Sequence, residues 1–180
     1  MLTITIPDVE LFDEESETFI NYKGGRITLE HSLRSISKWE TKYCKPFINP
    51  DDKRSSEENI YYFKCMTITN DVPEYLYYMF TMDNYREINE YINSELTATT
   101  IFIFGEEKKN KGTAKVITSE QIYYWMISYG IPMECQDWHL SRLLALIKVF
   151  NVNNSDEKLS KEEIYERQRR INAEARARMK

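Results

Sequence analysis

Glycine and proline are scarce, five of each in 180 residues. A many-stranded β protein needs a turn signal roughly every 8–12 residues, so this composition disfavours a sandwich or barrel and favours long helices with few breaks. Lysine and arginine are missing from residues 1–22, which carry Asp8, Glu10, Asp13, Glu14, Glu15 and Glu17. No run approaches the ~18 consecutive apolar residues of a membrane span. The opening MLTITIPDVELFDEE lacks the basic start and long apolar stretch of a secretory signal. Cysteine is limited to Cys44, Cys65 and Cys135, an odd number that cannot pair fully within one chain. These absences describe a cytosolic chain with reduced thiols. Glycine-rich phosphate loops are missing too, since KGG and NKG lack the Walker or dinucleotide spacing.

Apolar side chains make up 42% of the chain, enough for a core, and aromatics 13%, led by 13 tyrosines. The length suits one domain, or one domain with an appendage. A formal net charge of −5 argues against general nucleic-acid binding, but the charge is uneven. The acidic first 22 residues face a basic far end, where Arg167, Arg169, Arg170, Arg176, Arg178 and Lys180 stand against Glu174 alone. Opposite poles of this kind suit a protein that meets other proteins in a defined orientation.

Periodicity predicts the elements. LTITIP alternates and stops at proline; RITLEHS alternates through Ile27 and Leu29 after the KGG turn. The two read as a hairpin or small sheet with a long acidic connection. From Ser32 the spacing becomes helical through Leu33, Ile36, Trp39 or Glu40, and Tyr43, ending before Pro46. NPDDKRSSEEN is a polar linker that ends in a capping box, Ser55 with Glu58, opening a helix through Ile60, Tyr61, Phe63 and Lys64. Weaker helical patterns occupy 73–80 and 84–94. TATTIFIF and TAKVIT, around EEKKNKG, read as a second hairpin.

Thr118 and Gln121 form another capping box before the aromatic helix IYYWMISY, which Gly130 and Pro132 close. A further helix is expected from about Met133 through WHLSRLLALIKVF, with Leu140, Leu143, Leu144, Ile147 and Phe150 on one face. These last two helices are expected to form an αα-hairpin in the core. After NVNNSDEK, Ser160 and Glu163 make a third box opening KEEIYERQRRINAEARARMK, a helix with only a thin apolar stripe of Ile164, Ile171, Ala175 and Met179. The expected fold is therefore α+β and predominantly α-helical: a globular domain over 1–152 with an N-terminal β-hairpin, then a linker and projecting charged helix over 153–180.

IPMECQDWHL, residues 131–140, is where chemistry would be sought. On one helix, Cys135 and His139 would be neighbours four apart. A zinc site needs further ligands, and Cys44, Cys65 and His31 are the only other cysteines or histidines; no Cys-x-x-Cys or His-x-x-x-His pair exists. A Cys–His nucleophile pair would also need an electropositive, accessible pocket and a third, orienting group. The blander reading is a helix start in the core, with Cys135 as a small buried hydrophobe and Glu134 and Asp137 as first-turn acids at the positive end of the helix dipole. The clustered tyrosines, among them Tyr123 and Tyr124, lack the interleaved basic residues of a base-stacking platform and read as core and interface packing.

Two stretches, ITLEHSLRSISKWETKYCKPF (27–47) and TSEQIYYWMISYGIPMECQDWHLSRLLALIKV (118–149), resemble tail assembly chaperones of tailed bacteriophages, siphoviruses of Gram-positive hosts. TAT at 97–99 and the closing SKEEIYERQRRINAEARARMK fit the same pattern, leaving gaps around 1–26 and 50–95. The resemblance implies a non-catalytic protein without cofactor or metal, active in the host bacterial cytoplasm. It implies binding to the phage tape measure protein, which is kept soluble while tail tube protein subunits polymerise around it. No catalytic motif is carried over. The residues expected to meet the partner are Ile164, Arg167, Arg170, Ile171 and Ala175 on the terminal helix, with Tyr123 and Tyr124; a homo-oligomer is compatible, a membrane partner is not expected. The alternatives are a minor phage structural or nucleic-acid-binding protein using the basic arm, and, behind it, a metal- or thiol-dependent enzyme at Cys135 and His139.

Overall fold

Strands β1 (Leu2–Ile6) and β4 (Gly25–Leu29) pair antiparallel, Ile4 opposite Ile27 and Leu2 opposite Leu29. Alternation sends Ile4, Ile6, Ile27 and Leu29 into the core and leaves Thr3, Thr5 and Arg26 exposed. The structure, a computed structural model, describes residues 1–15, 17–49, 54–99, 116–154 and 169. The acidic connection between these strands is itself structured. β2 (Val9–Asp13) and β3 (Thr18–Tyr22) form a separate antiparallel hairpin where the sequence predicts only a long acidic connection. At the return into β4, Gly24 is required by contact: a Cβ there would lie 2.0 Å from the Ile6 carbonyl oxygen. Asp8 holds the same corner, accepting the Gly24 N–H at 2.8 Å and Lys23 Nζ at 3.0 Å.

Helix α1 (Leu33–Tyr43) begins where predicted, capped by Ser32, and ends in a left-handed Cys44. Helix α2 (Ser56–Met66) carries the predicted Ser55–Glu58 box with both halves formed. The chain leaving α2 runs beside β4: Ile68 N–H donates to Thr28 O at 2.9 Å and Glu30 N–H to Met66 O at 2.8 Å. The weak pattern at 73–80 is a 3₁₀ turn (Glu74–Tyr78), and that at 84–94 is α3 (Met82–Ile92), opened by a Thr81–Asn84 box. Asn84 also reaches the free edge of β1, donating to Thr5 O at 3.2 Å. Of the expected second hairpin, the described residues 97–99 and 116–118 form no strand, Ile117 bridging Ile48 instead, and residues 100–115 lie outside the described residues.

Helix α4 (Ser119–Ser128) packs against α1. Gly130 closes it at φ 64°, as expected, and Ile131 N–H returns to Met126 O at 2.9 Å. Two expectations fail here. The Thr118 hydroxyl makes no capping bond, because a carboxylate from α1 occupies that helix start. The helix expected from Met133 is instead a 3₁₀ turn (Met133–Asp137), an extended Trp138, and then α5 (Leu140–Asn154). The break is imposed from a distance: Leu140 N–H donates to His31 O at 2.7 Å, and Ser32 bridges His139, so the chain is drawn out to meet the start of α1. Beyond it, Phe150 of α5 stacks on Tyr129 with ring centroids 5.7 Å apart.

The core is aromatic at its centre. Trp39 is fully buried, donates Nε1–H to Glu58 O at 3.0 Å and meets Phe47 edge-on at 5.2 Å; Phe47 lies 4.2 Å from the buried Tyr62 ring. The fold is thus α+β and helix-dominated, with two small antiparallel two-stranded sheets among the described residues. α5 runs past the boundary expected at 152, and the terminal arm falls outside the described residues apart from Arg169.

Candidate partner-binding surface

In the stretch 131–140, Cys135 and His139 turn inward and Asp137 sideways, while Glu134 stays exposed. Cys135 is buried, its N–H bonded to Pro132 O at 3.0 Å, and burial, with Glu134 adding to it, raises its thiol above the usual range. The extended Trp138 separates it from His139, so the two do not share an α-helical face. His139 bonds Ser141 Oγ through Nδ1 at 2.8 Å and Tyr91 O through Nε2 at 3.1 Å. Asp137 is no dipole-stabilised first-turn acid: it takes both arms of Arg34, Nε at 2.5 Å and Nη2 at 2.9 Å, tying this turn to α1. That pair, through its hydrogen bonds, lowers the Asp137 carboxyl and raises the Arg34 guanidinium.

Beside His139 lies the second histidine, ring centroids 5.2 Å apart. His31 Nδ1 sits 2.5 Å from Tyr62 Oη, and burial, reinforced by His139, pushes its imidazole down to about 3. Both rings are therefore neutral at pH 7, His139 being lowered mainly by burial as well. Glu30, also buried, completes the group by accepting Tyr91 Oη at 2.6 Å and lying 2.9 Å from the Met1 amino group. Cys65 lines a depression of about 290 Å³ with Arg34, Lys38 and Asp137, but burial outweighs the lysines and raises its thiol too. Raised thiols stay protonated and are poor nucleophiles. Among the described residues, no group of three or more His, Cys, Asp or Glu is placed to hold a metal ion, and no helix is long and apolar enough to cross a membrane.

The residues expected to meet a partner separate in the structure. Tyr123 is half-buried, its hydroxyl donating to Gln136 Oε1 at 2.9 Å, so it braces α4 against the 133–137 turn. Tyr124 is 66% exposed, and Ile127, one turn on, is 70% exposed. The opposite side of α4 sends Ile122 and Met126 into the core. Ile164, Arg167, Arg170, Ile171 and Ala175 lie outside the described residues.

Sequence reasoning passed over a second exposed apolar surface, on the β2–β3 hairpin. Phe12 pairs with Phe19 on one face, the two phenyl rings 5.1 Å apart, and Leu11 with Ile20 on the other. Phe12 is 54% and Phe19 67% exposed. VELFD and TFINY set two apolar residues side by side, Leu11–Phe12 and Phe19–Ile20, so the alternation that marks a half-buried strand is broken. No protein-family model, curated protein or solved structure matches the chain.

Proposed function

We propose that this chain is a phage tail assembly chaperone that binds the tape measure protein, keeps it soluble in the host bacterial cytoplasm and assists tube polymerisation. The observation that carries the proposal is the outward side of α4. Within the segment that resembles that family, Tyr124 and Ile127 stand one turn apart in solvent, on a helix whose other side is anchored in the core. A rigid helix with an unsatisfied apolar stripe is the kind of surface on which an amphipathic partner helix docks. The buried, raised thiol of Cys135 and the hydrogen-bonded imidazole of His139 support a binding role over thiol chemistry.

Co-expression tests it. The tape measure protein encoded alongside this chain should gain soluble yield in its presence, and the two should co-purify. Equal solubility without the chain, and no complex surviving gentle purification, would overturn the proposal.

A further inference from the structure

We infer that the β2–β3 hairpin is the docking site for the basic C-terminal segment, residues 160–180, of a second copy of this chain. Three features of the hairpin support this. It is a two-stranded sheet on its own, a form only marginally stable in water without something packed against it. Its cross-strand pairs Leu11–Ile20 and Phe12–Phe19 are uncovered, with Leu11 54% and Ile20 39% exposed besides the two phenylalanines. Successive strand residues alternate, so Phe12–Phe19 occupy one face and Leu11–Ile20 the other; the Phe12–Phe19 face also carries the exposed Glu10, and the exposed carboxylates of Glu14, Glu15 and Glu17 stand at the turn. Glu17 holds a left-handed backbone, φ 51°, where glycine would be less strained, so a charge is placed at the tip at a conformational cost.

The occupant is identified by complementarity. Residues 160–180 hold Ile164 and Ile171; Glu162, Glu163 and Glu166 surround the first, and the basic part is 167–180, with Arg167, Arg169, Arg170, Arg176 and Arg178 against Glu174. The arginines of this segment are complementary to the carboxylates around the Phe12–Phe19 pair, with Arg–carboxylate pairs at its margins and an isoleucine side chain to cover the phenyl rings. The one described residue of this segment, Arg169, is helical and exposed. The two poles are attached to different parts of the domain. The hairpin leans on the Glu74–Tyr78 turn, through Tyr22 against Tyr75, whereas α5 packs with the 133–137 turn and Tyr129. Reciprocal exchange between two copies satisfies both poles at once and closes as a two-fold dimer. This inference is independent of tape-measure binding and is tested on the purified full-length chain alone.

Sedimentation across a concentration series should show a dimer at low salt whose dissociation constant rises at least about tenfold in 0.5 M NaCl, because the marginal ion pairs are exposed. Glu14→Lys with Glu15→Lys, on the hairpin, should weaken self-association about tenfold or more, as should Arg167→Glu with Arg170→Glu on the arm. An equimolar mixture of the two variants should dimerise again. In the mixed dimer, lysines on one hairpin face glutamates on the partner's arm, and the unchanged hairpin faces the unchanged arm. Recovery also shows that both variants are folded. A wild-type chain that stays monomeric, or a mixture no better associated than its components, would overturn the inference.

Discussion

Glu40, on α1, accepts the Ser119 N–H through Oε2 at 2.7 Å and the Phe47 N–H through Oε1 at 2.7 Å. One buried carboxylate thus caps the start of α4 and pins the loop after α1, across 79 residues of sequence in the first case. It does for α4 what the Thr118 hydroxyl was expected to do, and more strongly, because an anion at a helix N-terminus meets both free amides and the dipole.

Glu40→Ala should therefore destabilise the domain by about 2–4 kcal/mol, since two buried donors lose a charged acceptor. Glu40→Gln keeps one carbonyl oxygen and turns an N–H₂ toward the other donor, so it should cost less than the alanine variant and still be measurable. Urea unfolding of both variants checks this. A loss below about 0.5 kcal/mol for Glu40→Ala would show that water replaces the carboxylate there.

His31 gives a pH test. Its folded-state pKa, about 3, lies below the ordinary value of 6.5. The unfolded chain then binds a proton in a range where the folded chain does not. Stability is complete above about pH 6.5 and falls by up to about 1.4 kcal/mol per pH unit below it, until the folded pKa is reached. His139, lowered in the same direction, steepens the fall. Carboxylates such as Asp137, whose pKa is lowered, add their own loss only at more acid pH. Denaturant unfolding from pH 7 to 5 should show this decline, and His31→Gln should flatten it. A wild-type stability constant across that range would contradict a neutral buried His31.

How much was legible follows from the range over which each signal acts. The boxes Ser55–Glu58 and the Gly130 stop are local, and the structure forms them as read. The β1–β4 pair was legible because alternation there matches a buried and an exposed face. The β2–β3 hairpin was not, since its phenylalanines face solvent and the inside-outside contrast is lost. The continuous helical spacing from Met133 to Phe150 concealed the break at Trp138, because the bonds from Leu140 to His31 and from Asp137 to Arg34 join residues about a hundred positions apart. At Thr118 the expected cap was displaced by Glu40 for the same reason. Of the candidate surface, Tyr124 is named from the sequence, whereas Ile127 beside it is not.

The three thiols should separate by rate. Cys44 is exposed and adopts a left-handed backbone, φ 52°, at the end of α1; Cys65 is half-buried and Cys135 buried. A disulfide reagent should label Cys44 first and Cys135 only on unfolding. Because the left-handed position suits glycine, Cys44→Gly should raise stability by about 0.5–1 kcal/mol, read as a higher urea midpoint with unchanged slope. Cys135→Ala should instead lower it by about 1 kcal/mol through lost packing. Fast labelling of Cys135 in the native protein would mean that the 133–137 turn opens readily.

The outward side of α4 separates partner binding from stability. Tyr124 and Ile127 leave most of their surface in water, so Tyr124→Ser with Ile127→Ser removes little from the core and should shift domain stability by no more than about 0.5 kcal/mol. If a partner helix covers that stripe, the same pair of changes should weaken capture of the tape measure protein about tenfold, equivalent to about 1.4 kcal/mol of binding. Ile122 supplies the contrast, because it is fully buried beneath the same helix. Ile122→Ala should cost about 2–4 kcal/mol of stability, and the fraction that stays folded should still bind the partner. Pull-down yields set beside melting curves distinguish the two cases. Unchanged capture by the Tyr124/Ile127 variant would remove α4 from the binding surface and leave its exposed stripe without a role in tape-measure recognition.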